Sequence, residues 1–269
     1  MARGGVDLLR DGAAVVAEET SSEPGDDVTS ASFDFDRPLR NLATSLADVE
    51  ALLSFHEKAE RPAKGKPTKD HSTLKRAAIV LVYAAWESFF ENLIDEVATA
   101  LAASDDVSRL PDRVQRMLVD DLRSFLVGKR ASDLSAGQIL ATAAGYDWAQ
   151  RLRALATLEI YGDSGDAADD PAHGLNSADV KNVTRLLQKY CGEDLLSAVA
   201  WAGMSNKQVT SKLEKIVEMR GAVAHTGRLP ENAVLPLALV RDYVRFIEKL
   251  AGKLVARVVA SLRVGDVAN

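Results

Sequence analysis

Arg220 and His225, five residues apart, are the pair in this chain whose types suit phosphate chemistry. Histidine has a proton affinity that fits acid–base work near neutral pH. Arginine presents a planar fork of donors that fits phosphate oxygens and the charge of a five-coordinate phosphorus transition state. Together the two could cleave RNA with no metal. The ribose 2′-oxygen would lose its proton and attack the neighbouring phosphorus, and the 5′-oxygen would leave with a proton. The ends would be a 2′,3′-cyclic phosphate and a 5′-hydroxyl, and DNA, which has no 2′-hydroxyl, would be inert.

Other chemistries have less to stand on. The chain has no GxxxxGK[ST], no GxGxxG after a strand, no HExxH and no GxSxG. Its four histidines, His56, His71, His173 and His225, are scattered, which argues against a multi-histidine metal site. Asp120–Asp121 and Asp169–Asp170 are adjacent pairs, and neighbours on a helix point to different faces, so each pair alone chelates poorly. We therefore expect neither a metal nor a cofactor. The single cysteine, Cys191, allows no disulfide within the chain and reads as a small buried or helix-end residue.

Charge narrows where a nucleic acid could bind. The net charge is −6 and the pI is near 5.4, so phosphate binding must be local or absent. Residues 61–76 hold six Lys or Arg against one Asp and form the one strongly basic window. Lys64, Lys66, Lys69, Lys75 and Arg76 could track an RNA backbone without sequence preference. The alternative is a solvated loop.

The elements that must position these groups read as helices. Apolar residues make up 47% of the chain and aromatics only 6%, and a chain rich in Ala and Leu favours helix over sheet. A first helix should start at Asp36, with Pro38 in its first turn, and end near Lys58 to Glu60. A second, from about Ser72 to Ala103, is apolar on almost every face and should be the central one. Glu87 interrupts it, and a carboxylate in such surroundings needs a partner or a role. Further helices are expected over residues 109–127, from Ser135 to Tyr161 with a break at Gly145, after a cap at Asn176 or Ser177, in the short run EDLLSAVAW, from Ser205 to Gly227, and from about Pro230 to Val264. No hairpin signal is present. The expectation is an all-α helical bundle with additional helices over residues 36–269, preceded by a flexible acidic leader or docking arm over 1–35. No targeting segment is evident, and the apolar run from Ala77 to Trp86 is too short for a membrane span. A cytoplasmic location with no membrane contact is therefore expected.

Geometry adds a condition. Five helical steps rotate roughly 140° about the axis, so Arg220 and His225 do not share one helix face. Either the helix bends near Gly221, or two copies complete the site across a twofold axis.

Three runs in order carry a resemblance. LEKIVEMRGAVAHTG, residues 213–227, resembles the R-x4-6-H motif of HEPN domains. LVYAAWESFFENLIDE, residues 81–96, resembles the long helix of the RiboL-PSP-HEPN branch, with an aromatic–Glu pair at Trp86-Glu87. HGLNSADVKNVTRLLQKYCG, residues 173–192, resembles the segment preceding the motif helix. The resemblance implies a helical bundle that dimerises around the motif, and a metal-independent endoribonuclease of the toxin or antiviral-defence kind, with a possible antitoxin or defence-system partner. Arg220 and His225 would then be the catalytic pair. Beside the resemblance, we expect Glu87 to orient Arg220 or His225; the alternative is a structural salt bridge. The family often places a polar residue, commonly Asn, after the arginine, whereas this chain has Gly221. That departure leaves open a catalytically inactive interaction or regulatory module.

Overall fold

The computed structural model describes residues 33–60, 72–127, 143, 145–162, 174–175, 177–229 and 235–267. The expected leader up to residue 32, Lys64, Lys66, Lys69 and the Asp169–Asp170 pair lie outside the described residues. Among the described residues seven α-helices follow one another: α1 Asp36–Glu60, α2 Ser72–Ala102, α3 Asp112–Val127, α4 Trp148–Tyr161, α5 Val180–Tyr190, α6 Asn206–Thr226 and α7 Leu237–Val267. The fold is all-α. The pairing of Trp201 with Met204 is an isolated bridge.

Helix α2 is the hub. It packs against α1, α4, α5, α6 and α7. Ile79, Val82, Trp86, Phe90, Leu93, Ile94 and Val97 are fully enclosed. Ala77, Leu81, Ala84 and Ser88 form the narrow exposed strip that a helical period leaves when the other faces are covered. By length and composition, Thr73–Ala102 could also cross a bilayer. Here its apolar side chains are spent on the bundle core.

Polar pairs tie the helices together. At the start of α1, Arg37 meets Glu96 at 2.7 Å and Asp95 at 2.8 Å, both on α2. Glu96 is a buried charge in the core and also accepts the Asp34 backbone N–H at 2.8 Å. Asp121 on α3 accepts from Arg151 and Tyr146, while its neighbour Asp120 pairs with Arg123. The two aspartates thus face different ways.

Three local expectations shift. The cap of α5 is Asp179, which accepts the Asn182 N–H at 2.8 Å, and not Asn176 or Ser177. EDLLSAVAW yields one 3-10 turn, Leu196–Ala198, because its polar groups turn inward on themselves: Asp194 caps Ser197 from both its side chain and its carbonyl. The last helix starts at Leu237 and not near Pro230. Pro236 disfavours a helical Leu235, yet its carbonyl accepts from Leu239 and Val240, so it begins the helix.

Candidate functional site

Helix α6 carries both members of the Arg–His pair. Gln208 accepts the Ser205 backbone N–H at 2.8 Å, which fixes the start of the helix. Gly227 stops it in the left-handed region, at φ 66°. Between them Val209, Leu213, Ile216 and Met219 point into the core at helical spacing. Arg220 follows Met219 and sits half-buried at the rim of that face, and His225 lies in the last turn, exposed. The helix is continuous through Gly221, so the pair has two different surroundings.

Arg220 lies against α2. Its guanidinium carbon is 5.0 Å from the centroid of the Tyr83 ring, a cation–π contact. Among the described residues, Arg220 makes no hydrogen bond and no ion pair. His225 makes none either.

Tyr83 is held at its other end. Its Oη donates to Glu87 Oε1 at 3.1 Å, shares a 2.8 Å hydrogen bond with Ser177 Oγ, and accepts the Ala178 N–H at 2.8 Å. Burial pushes the Tyr83 phenol up to about 12, so it keeps its proton at neutral pH. One turn along, Trp86 Nε1–H donates to the Ala178 carbonyl at 2.8 Å. Both polar groups of the Ala178 peptide are therefore gripped by α2. The segment before α5, helix α2 and helix α6 converge on one tyrosine.

Glu87 is half-buried and reaches Tyr83, not Arg220 or His225. Its link to the arginine runs through the ring that carries the phenol. Glu91, one turn further, has its carboxyl raised by burial and by the nearby Glu87 charge. Lys75 and Arg76 lie in the first turns of α2, partly exposed, and Arg76 donates to Thr73 Oγ1 at 2.9 Å. No group of three or more metal-ligating side chains forms among the described residues. Cys191 caps the end of α5, and burial pushes its thiol up to about 12, which keeps it protonated and unreactive.

Sequence reasoning missed Tyr83 and Ser177. A signal for Tyr83 was present: it precedes Glu87 by four residues, which puts both on one face of α2. Ser177 was hidden by its resemblance to a helix cap.

Residues 44–135 match the family model described as RiboL-PSP-HEPN. By that match residues 44–135 are similar to the RiboL-PSP-HEPN branch of the HEPN superfamily. The matched region includes Tyr83 and Glu87 on α2 and ends before Ser177, Arg220 and His225. No curated protein and no solved structure matches the chain.

Proposed function

We propose that this protein is a metal-independent endoribonuclease of the HEPN type, with Arg220 and His225 as its catalytic pair. The observation that carries this reading is Arg220 itself, fixed against Tyr83 with every N–H donor unspent. Arginine side chains that serve only the fold commonly fork onto a carboxylate, as Arg151 does onto Asp121 here. A guanidinium held on a ring face is ready for an anion instead.

In the proposed reaction Arg220 holds the non-bridging oxygens of the scissile phosphate and offsets the charge that grows on them. His225 moves a proton at one of the two ribose oxygens. The 2′-oxygen loses its proton and bonds to phosphorus, the bond to the 5′-oxygen breaks, and that oxygen takes up a proton. His225 is exposed on a different side of α6 from Arg220, so a single chain offers the two groups to different surroundings. A homodimer through the Arg220–His225 region would supply the missing partner from a second copy. Lys75 and Arg76, continuing the basic window, would carry the RNA backbone toward it. In the cell the activity would serve as a toxin or antiviral-defence effector.

Purified protein is expected to cut RNA in EDTA, to leave 2′,3′-cyclic phosphate and 5′-hydroxyl ends, and to spare DNA. Arg220→Ala and His225→Ala should each lower the rate by about 100-fold or more. Cleavage that requires a divalent metal, or that survives both changes, overturns the assignment. A folded dimer that leaves RNA intact would favour the interaction-module reading.

A further inference from the structure

Tyr83 is a core tyrosine with more polar partners than a core position requires. One hydrogen bond would satisfy a buried phenol. Tyr83 has three, to Glu87, Ser177 and the Ala178 N–H, from two separate segments. They leave the ring no freedom to rotate away from α6. The ring face they fix is the one Arg220 occupies.

We propose that Tyr83 is a positioning residue for Arg220, holding its guanidinium on an aromatic face so that the N–H edge stays free for a phosphate. The chemistry of this inference rests on the ribonuclease reading. The seating does not. A ring face attracts a cation through its quadrupole and takes up none of its donors. A carboxylate would fix an arginine equally well, but it would occupy two of the donors that phosphate needs. An incoming phosphate would then have to displace it. The arrangement avoids that competition by directing the Glu87 carboxylate onto the phenol. Glu87 and Ser177 hold Tyr83, and Tyr83 holds Arg220.

Two measurements test this, one without RNA. In the NMR spectrum of ¹⁵N-labelled protein, the Arg220 Nε–Hε signal should show an upfield ring-current shift. Tyr83→Phe, which keeps the face but removes the hydroxyl that fixes it, should show a smaller shift. Tyr83→Leu and the more adaptable Tyr83→Met should lose it. In single-turnover cleavage, Tyr83→Phe should lose about threefold in rate. The two non-aromatic variants should lose about tenfold in rate, with RNA affinity and the shape of the pH profile kept, which a general loss of folding would not produce.

A wild-type Arg220 signal at its ordinary position overturns the seating, even if neither non-aromatic variant folds. Cleavage at full rate in Tyr83→Leu overturns the positioning role and leaves the ribonuclease reading intact. A shifted Arg220 signal in a protein that cuts no RNA does the reverse: the seating stands and the nuclease reading falls.

Discussion

Gly221 stands between the two candidate groups, and its surroundings are open. It lies inside α6 with an ordinary helical backbone, and a Cβ added there would meet nothing within 4 Å. Glycine in a helix interior costs about 1 kcal/mol relative to alanine, through the backbone freedom lost on folding. Within one chain nothing offsets that cost. Gly221→Ala should therefore raise the melting temperature by about 2–4 °C, read by circular dichroism at fixed protein concentration. A fall would mean that something outside the chain, such as a second copy, packs on the bare backbone beside Arg220. The polar residue expected after the arginine from the family resemblance would also fit, because the space for an asparagine Cβ exists.

At the scale of elements, the site depends on how α2 grips the segment that leads into α5. Trp86 and Tyr83, three residues apart on one face, take the carbonyl and the N–H of the same residue, Ala178. Trp86 is wholly buried and stacks near Phe89 and Phe90, with ring centroids 5.5 and 6.1 Å away. Trp86→Phe would leave the Ala178 carbonyl buried without its donor and open a void where the larger ring stood. A loss of about 2–3 kcal/mol is expected, visible as a lower urea midpoint with an unchanged slope. An unchanged midpoint would show that the grip contributes nothing to stability. Helices were legible in the sequence wherever a local signal fixed them: Pro38 and Asp36 for the start of α1, Ser205 and Gly227 for the two ends of α6. Ambiguity arose where one residue type serves two purposes. Ser177 has the chemistry of a cap, but the cap is Asp179, and the serine hydroxyl goes to Tyr83. The contact of Tyr83 with Arg220 could not be read at all. It joins α2 and α6, and no local spacing encodes which faces of two distant helices meet.

Across the whole molecule, the bundle is tied around its hub by carboxylates whose charged form the fold favours, and this sets its response to acid. Glu159 on α4 is partly buried, which alone would raise its carboxyl. Lys189, Arg185 and Tyr190 on α5 outweigh that, and the net direction is down. Asp121 on α3 is held down by its hydrogen bond to Arg151 on α4, against some burial, with Tyr146 adding to the effect. A carboxyl held below its ordinary value contributes stability that is fully present above that value and is lost as pH falls through it. The ordinary values are 4.5 for Glu159 and 3.8 for Asp121, so the two ties should act fully at pH 7 and weaken from about pH 5 downward. The melting temperature should stay level from pH 7 to about 5 and then drop steeply. Glu159→Gln keeps the shape and removes the charge. It should melt lower than wild type at pH 7 and lose less between pH 5 and 3.5 than wild type does, because the tie that acid breaks is already gone. Parallel acid profiles for the two proteins would show that the tie through Glu159 contributes nothing to the acid response.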